Sequence, residues 1–235
     1  MKESLYSLHV MGHEHPTMSF IENAVNYFRK LGFGVALGPE IESEWYNFDF
    51  LRVPSHHQSR DTQDTFWVSS DNVLRTQTSA IQGRVTLDWK IQPPMRIISP
   101  GRVFRNESTD ASHEAVFHQL EGFVIDENIS MAHLLSTIDG FIHHVFGEIE
   151  TKFYPHHFEY VEPGMEVVIK WKNTWLEVLG CGMIHPEVLA NMGINSSKYS
   201  GFAFGLGADR FSLLQYGIDD IRSLYTPDIR MIKQI

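Results

Sequence analysis

The chain has 235 residues and 43% hydrophobic content, enough for one large and well-packed domain. Its formal net charge of −10 at pH 7 argues against extensive contact between its own surface and nucleic-acid phosphates. No apolar run approaches ~20 residues and the N-terminus has no apolar signal core, so no membrane span or signal peptide is expected. The one cysteine, Cys181, excludes an internal disulfide and fits a reducing compartment, which predicts a cytoplasmic location.

Hydrophobic periodicity predicts a leader, a helix, a strand and a long loop in the first part of the chain. Residues 1–14 are interpreted as a flexible leader, and a helix begins at Pro16 and ends at Gly32. The apolar stripe of this helix consists of Phe20, Ile21, Ala24, Val25, Phe28 and Leu31. A strand over 33–37 and an irregular polar loop over 42–65 follow, and a loop of that length in a compact domain is usually functional.

The remaining pattern predicts strands joined to strands, with helices between some of them. A helix is expected from a cap at Thr78 or Ser79 to Lys90, another after Ser130, a short one from Pro186, and a last one that ends near Gly217. The predicted strands are Met95–Ser99, Arg102–Phe104, Phe117–Asp126, Val167–Trp171, Trp175–Leu179 and Phe202–Phe204. Because strands follow strands through short links, we predict an α+β fold with a mostly antiparallel sheet rather than a doubly wound one.

The segment RVFRNESTDASHEAVFHQLEG, residues 102–122, leads into the predicted strand Phe117–Asp126, in which polar and apolar side chains alternate in an unusual way. Its period of two places Phe117, Gln119 and Glu121 on one face and His118 and Leu120 on the other. A carboxylate and an amide on the inner face of a sheet are costly unless a ligand or a partner group meets them. This face is therefore predicted to be the floor of a cleft that binds a cationic and flat group.

Two arginines and a histidine are candidates for contacts with an anion. Arg105 could hold a phosphate oxygen or form a surface ion pair with Glu107. Arg210 follows a glycine-rich turn at a helix start, where an anion is favoured, or it is a solvated helix residue. His113 is either a phosphate contact or an exposed histidine of the loop. Together with the acidic cleft floor, these residues suggest a site for an amino acid and a nucleotide.

The aromatic residues of HHFEYVEPG suggest a pocket wall. Phe158 and Tyr160 share a face if the segment is extended, and they either pack in the core or line a pocket for an aromatic substrate. Ala203 points away from its two phenylalanine neighbours and is either core filler or a pocket floor. Cys181 is interpreted as a packed residue because no activating base can be identified. The histidine pairs and the single cysteine form no zinc motif, so no metal site held by the protein alone is predicted.

These motifs resemble the catalytic core of the alpha subunit of bacterial phenylalanyl-tRNA synthetase, a class II aminoacyl-tRNA synthetase. The resemblance runs from about His15 to the C-terminus and predicts a catalytic domain over residues 15–235 with the class II antiparallel sheet flanked by helices. The helix from Pro16 with GPEIE is similar to the class II dimer-interface motif, in which Pro39 is the proline. The 102–122 segment resembles the second class II motif and GFAFGLGADR the third, whereas DTFW, LRTQTS, YVEPG and WLEVLGCGMIHP resemble this subunit specifically.

The resemblance implies a role for each matching position. Arg105 would hold the ATP α-phosphate and the substrate carboxylate, and Arg105 and Arg210 would be the catalytic residues. The ATP-binding residues would be Arg105, Glu107, His113, Phe117, Arg210, Gly180 and Gly182. The residues around the amino group would be Trp67, Ser79, Gln119 and Glu121, and those around the side chain would be Phe158, Tyr160 and Ala203. Tyr160 and Asp209 depart from the family, which commonly has phenylalanine and glutamate there.

The resemblance also implies the reaction and the partners. ATP and Mg²⁺ would activate L-phenylalanine to its adenylate, which would then be transferred to tRNA(Phe). The family works as a heterotetramer of two alpha and two beta subunits, and its alpha subunit carries an N-terminal helical arm that is absent from this sequence. Two alternatives remain open at this point. The chain could be a catalytically reduced relative that acts as a binding or interaction module, or a class II enzyme for another amino acid.

Overall fold

The computed structural model describes residues 14–228 and residue 230, so the predicted leader lies, apart from Glu14, outside the described residues. The helices of the described part are α1 (Pro16–Lys30), α2 (Glu44–Asn47), α3 (Ile81–Gly83), α4 (Met131–Phe146), α5 (Pro186–Asn191) and α6 (Ala208–Tyr216). Its strands are β1 (Gly34–Val35), β2 (Ile41–Ser43), β3 (Asn72–Leu74), β4 (Met95–Phe104), β5 (Val116–Asp126), β6 (Thr151–Pro155), β7 (Val161–Trp171), β8 (Thr174–Ile184) and β9 (Ser200–Gly207). Among the described helices, none has the length and apolarity needed to cross a bilayer.

Seven strands form one sheet in the order β1-β4-β5-β9-β8-β7-β6, and β2 pairs with β3 in a separate ribbon. Each neighbouring pair of the large sheet is antiparallel, except that β1 at the edge runs parallel to β4. Helices α1, α4 and α6 pack on one face of this sheet. The predicted α+β fold with an antiparallel sheet flanked by helices is therefore confirmed.

The two faces of the sheet carry two separate cores. Leu120 and Val124 of β5 belong to the cluster under α1, α4 and α6. Phe123 and Ile125 belong to the cluster on the opposite face, where segment 36–53, α3 and α5 supply the cover. This split follows from the period-two alternation of a strand. The covering elements leave the Phe117 end of the second face open, and the cleft lies there.

The N-terminal elements agree with the prediction only in part. The helix that begins at Pro16 is confirmed, but Leu31 lies past its end and is 42% exposed, before Gly32 with φ of +84°. The strand predicted over 33–37 is only the short β1. The loop predicted over 42–65 instead contains most of β2, α2 and two 3-10 turns. Ser43 starts α2 by accepting a hydrogen bond from the Tyr46 N–H at 3.3 Å, a local cap that the prediction missed.

The break predicted between two neighbouring strands is wrong, because the glycine there makes room for the Arg75 side chain and does not form a turn. The predicted strands Met95–Ser99 and Arg102–Phe104 are one strand, β4, because pairing with β5 continues through Pro100 and Gly101. A Cβ at Gly101 would collide with the guanidinium of the buried Arg75, which crosses the strand there. The position therefore needs a glycine for close approach rather than for a turn.

The helix predicted between Thr78 and Lys90 ends at Asp88 and is irregular. It begins as a 3-10 turn, continues as α3 and ends in a π turn. Neither Thr78 nor Ser79 caps it, because the Ser79 hydroxyl donates to the Glu121 carboxylate of β5 instead. The C-terminal strands extend beyond their predicted bounds as β7 and β8, and β6 was not predicted.

Candidate active site

The cleft is open above β5 because its neighbour β9 carries no large side chains on the same face. Gln119 pairs with Gly207 and Glu121 pairs with Gly205. Phe204 of β9 points to the opposite face and belongs to the core under α1. The polar side chains predicted for the cleft floor thus stand beside backbone alone, with room for a ligand above them.

One cavity of about 360 Å³ holds most of the residues predicted to bind ATP. Its lining includes Arg105, Glu107, His113, Phe117, Gly180 and Arg210. The Cζ atom of Arg105 lies 5.1 Å from the centre of the Phe117 ring, and its Nε donates to the Thr76 carbonyl at 3.3 Å. No ion pair between Arg105 and Glu107 occurs in the described part of the chain, so the alternative of a surface pair is wrong. The guanidinium is held half-buried in the cleft wall.

His113 lies at the rim of this cavity on the loop between β4 and β5. Its ring is about half exposed and pairs with the Asp110 carboxylate at 3.0 Å. Hydrogen bonds from the Ser112 backbone and from the His113 ring hold the pKa of Asp110 well below its ordinary value. The contact with Asp110 holds the imidazole within the loop. His113 is therefore an exposed histidine at the rim of the cavity, and its contact with a phosphate stays a prediction.

A second cavity of about 220 Å³ adjoins the first and holds the residues predicted around the amino acid. Its lining includes Ser79, Gln119, Glu121, Phe158, Tyr160 and Ala203. Glu121 is only 2% exposed, and its carboxylate accepts hydrogen bonds from the Ser79 hydroxyl and from Gln82 Nε2, the latter at 2.7 Å. Burial raises the pKa of Glu121 to about 7, although both hydrogen bonds act in the opposite direction. A cationic ligand group would complete this site.

The aromatic wall of the second cavity is formed by a turn rather than by a strand. Phe158 and Tyr160 lie between β6 and β7, in a segment that is not extended. Their ring centres are nonetheless 5.8 Å apart with an interplanar angle of 23°, so they form one stacked surface. Burial and the nearby Glu121 carboxylate raise the pKa of Tyr160. Ala203 of β9 lines this cavity and also belongs to the second core, so both alternatives for this residue describe its place.

Two of the predicted site residues are not brought to the cleft. The indole of Trp67 donates to the Arg60 carbonyl at 3.1 Å and packs against the second core, and it lines neither cavity. Gly182 lies on the cleft face of β8, but a Cβ there would be 2.6 Å from Val161, which covers it. Gly180 lines both cavities, and a Cβ there would be 2.8 Å from the Phe158 ring. Only Gly180 of the two glycines therefore belongs to the site.

Several cleft residues were missed by the sequence reasoning. Gln82 holds Glu121 from behind, is 2% exposed and follows Ser79 by three residues, a helical spacing that could have indicated it. Glu177 lines both cavities from β8 and gave no signal beyond being polar in an apolar strand. Asp209, noted in the sequence only as a departure from the family, is 1% exposed and accepts hydrogen bonds from Thr17 and from the His118 backbone.

The cysteine of the cleft is not activated, and the cleft's described residues form no metal cluster. Cys181 is 3% exposed, and burial raises the pKa of its thiol to about 12, so the prediction of a packed cysteine is confirmed. No three His, Cys, Asp or Glu side chains of the described part are close enough to hold a metal ion.

Comparison with known proteins places this cleft in a family. Residues 5–235 match the family described as tRNA synthetases class II core domain (F). The chain is 46% identical over 223 residues to the phenylalanine--tRNA ligase alpha subunit of Prochlorococcus marinus (strain NATL2A), covering 95% of this chain and 66% of that subunit. It is 46% identical to the alpha subunit of Clostridium perfringens (strain SM101 / Type A), with 95% and 69% coverage. For Klebsiella pneumoniae (strain 342) the identity is 48%, with 94% and 67% coverage.

The chain thus spans about two thirds of the length of the curated relatives it matches. The matched region includes every residue of both cavities described above. Together, these matches show that the chain belongs to the class II aminoacyl-tRNA synthetases, as a member of the phenylalanine--tRNA ligase alpha-subunit family.

Proposed function

We propose that the chain activates L-phenylalanine with ATP to phenylalanyl-adenylate and transfers the phenylalanyl group to tRNA(Phe), as the catalytic alpha subunit of a phenylalanine--tRNA ligase. The observation that carries this proposal is the shared wall of the two cavities, since Arg105 and Gln119 line both. A cation next to two adjoining sites can hold an α-phosphate and a substrate carboxylate together. This is the contact that adenylate formation requires.

In this proposal the smaller cavity binds phenylalanine. The Glu121 carboxylate would bind the ammonium group, with the Ser79 hydroxyl beside it. Gln119 Oε1 already accepts from the Thr78 N–H at 3.1 Å, which leaves its amide NH₂ as a donor for the substrate carboxylate. Phe158, Tyr160 and Ala203 would surround the phenyl ring, which they match in shape and polarity.

The larger cavity would bind ATP. Phe117 and Arg210 line it together and would enclose the adenine, whereas Arg105 would contact the α-phosphate. Glu107 and His113 at the rim would contact the rest of the nucleotide, with Gly180 as part of the floor. Mg²⁺ would enter with ATP rather than occupy a site of its own, and it would supply charge neutralisation near Glu107 and Glu177, whose carboxylates line the cavity.

The chemistry needs two displacements and no covalent enzyme intermediate. An oxygen of the substrate carboxylate forms a bond to the α-phosphorus, and the bond from that phosphorus to the β-phosphate oxygen breaks, releasing pyrophosphate. A ribose hydroxyl of the tRNA terminus then attacks the activated carbonyl carbon, and AMP leaves with the bonding electron pair. Arg105 would neutralise the charge that develops at the α-phosphate, while the cleft holds the reacting atoms in line.

The partner is proposed to be a beta subunit, in an assembly of two alpha and two beta chains in the cytoplasm. Strand β1 is a sheet edge, and beside it Val35, Leu37 and Ile41 are 37%, 64% and 52% exposed. Exposed apolar side chains along a strand edge favour a subunit contact. This strip includes the segment around Pro39 that resembles the class II dimer-interface motif. The net charge of −10 fits a division in which a partner supplies further contacts to tRNA.

Pyrophosphate exchange with each of the twenty amino acids, with and without the beta subunit, tests this function. We expect exchange that depends on phenylalanine and on ATP. Exchange with another amino acid would indicate a different class II specificity. A complete lack of exchange in the presence of the beta subunit would support the binding or interaction module instead, and no observation in the cleft favours that alternative.

A further inference from the structure

Asp209 is a buried carboxylate that the proposed reaction does not use. It is the second residue of α6 and is only 1% exposed. A carboxylate in such a place is costly unless several donors meet it. Burial raises the pKa of Asp209, but hydrogen bonds from His118 and Thr17 outweigh burial, so the pKa lies below its ordinary value. The group is therefore an ionised acceptor that the surrounding donors hold in one position.

The two oxygens of Asp209 bind different parts of the fold. Oδ1 accepts a hydrogen bond from Thr17 Oγ1 of α1 at 2.8 Å. Oδ2 accepts from the backbone N–H of His118 in β5, and the His118 ring lies 3.5 Å from the same oxygen. The His118 ring in turn stacks on Tyr225 and lies 3.3 Å from its hydroxyl. The hydrogen bond of Oδ1 thus links α6 to α1, and the hydrogen bond of Oδ2 links α6 to β5.

The contact with His118 lies where the ladder between β5 and β9 ends. The last paired residues are Gln119 and Gly207, after which β9 continues directly into α6. The next N–H of β5 toward that side belongs to His118 and has no strand partner left. The Asp209 side chain accepts a hydrogen bond from this N–H and thereby extends the ladder by one bond. The spacing between β5 and the start of α6 therefore depends on the length of the Asp209 side chain.

The two residues proposed to enclose the adenine are direct sequence neighbours of His118 and Asp209, which form this hydrogen bond. Phe117 precedes His118, and Arg210 follows Asp209. Both side chains line the nucleotide cavity. Asp209 also borders this cavity, but it is only 1% exposed and its carboxylate oxygens are engaged by Thr17 and by the His118 backbone. We propose that Asp209 is a positioning residue that sets the spacing of Phe117 and Arg210, and thereby controls how tightly the chain binds the adenine of ATP. This inference rests on the proposed nucleotide site.

The test compares Asp209→Glu, Asp209→Asn and Thr17→Ala in the full chain, purified together with its beta subunit. The ATP dissociation constant is measured directly, and KM values for ATP and phenylalanine come from pyrophosphate exchange. Asp209→Glu lengthens the link by one methylene and is expected to weaken ATP binding about fivefold or more, with the KM for phenylalanine within roughly twofold. Thr17→Ala removes only the bond to α1 and should lower the denaturation midpoint while ATP affinity stays within roughly twofold.

A purely structural role would affect Asp209 and Thr17 variants alike, or would affect both substrates together, and either result overturns the inference. Unchanged ATP affinity in Asp209→Glu overturns it as well, and this variant decides the matter if Asp209→Asn does not fold. If the wild-type chain binds ATP but shows no exchange with phenylalanine, the proposed function fails while the ATP dissociation constants still test Asp209. If the wild-type chain does not bind ATP at all, both proposals are wrong.

Discussion

Replacement of Glu121 by glutamine is expected to weaken phenylalanine binding while the chain still folds. The carboxylate accepts from the Ser79 hydroxyl and from Gln82 Nε2, and the proposed phenylalanine ammonium would be its third partner. Glutamine has the same shape but no charge, and its NH₂ group cannot accept from Gln82. The Oε1 atom of Gln82 is buried without a hydrogen-bond partner in the described structure, so a rotated Gln82 amide can accept from the new NH₂ group. The variant is therefore expected to fold.

The expected loss in catalysis follows from the charge that disappears. A hydrogen bond to a charged group contributes about 1.5–3 kcal/mol, and the ammonium of phenylalanine would have no other carboxylate in the smaller cavity's buried part. This corresponds to a loss of about tenfold to about a hundredfold in kcat/KM for phenylalanine. The KM for ATP should remain the same, since Glu121 does not line the nucleotide cavity.

Glu121→Gln should weaken catalysis, but it should not lower the free energy of unfolding at high pH. The folded-state pKa of Glu121 is raised from 4.5 to about 7, so the folded chain binds more protons than the unfolded chain between these values. The wild-type free energy of unfolding therefore falls as the pH rises through this window, by about 3 kcal/mol if no other group compensates. Glu121→Gln should remove this dependence, and the variant should equal or exceed the wild type in stability at about pH 8.

Pyrophosphate exchange and urea denaturation at about pH 5.5 and about pH 8 measure both effects. Glu127→Gln is the matched control, because Glu127 follows the far end of β5, is exposed and pairs only with Lys198. The control should leave both substrate constants and the pH dependence of stability as in the wild type. Unchanged kcat/KM for phenylalanine in Glu121→Gln would refute the assignment of the ammonium site, and an unaltered pH dependence would refute the argument from burial.

Three further predictions concern the wall of the smaller cavity. Tyr160→Phe should keep phenylalanine activation within a few-fold because the ring supplies the contact, whereas Tyr160→Ala should cost about 2–3 kcal/mol of buried area and stacking. A change of more than about tenfold in the phenylalanine-to-tyrosine ratio of kcat/KM in Tyr160→Phe would show that the hydroxyl contacts the substrate. Gly180→Ala would place a Cβ 2.8 Å from the Phe158 ring, so the KM for phenylalanine should rise more than the KM for ATP, and equal changes would contradict this reasoning. The Cys181 thiol, whose pKa burial raises to about 12, should resist iodoacetamide at neutral pH until the chain unfolds; rapid labelling of the native protein would contradict its burial.

The cleft floor could be predicted from the sequence because a strand leaves little freedom. Once Phe117–Asp126 is a strand, its period of two forces Phe117, Gln119 and Glu121 to one face, and polar groups on an inner face require a ligand or a partner group. The same reasoning placed Ala203 on the face opposite to its phenylalanine neighbours. These residues meet in the structure as the local pattern indicated.

The other assignments depended on tertiary contacts that no local pattern contains. Trp67 is aimed at Arg60 by a hydrogen bond within its own loop, and Gly182 is covered by Val161 after a register shift in β7. The Pro100-Gly101 pair has the composition of a turn, yet the crossing of Arg75 explains the glycine within a continuous strand. For Gly182 and Gly101, a residue more distant in the sequence determined the outcome.

The two substrate sites differ in how their walls are attached to the scaffold. Phe117, Gln119 and Glu121 stand on the central strand β5, where any shift would disturb hydrogen bonds to β4 and β9. Phe158 and Tyr160 stand on a turn between β6 and β7, outside the paired register of the sheet. If the proposed function holds, redesign toward bulkier or ring-substituted amino acids can begin on this turn, because new side chains there change the shape of the pocket while the strand β5 keeps its framework.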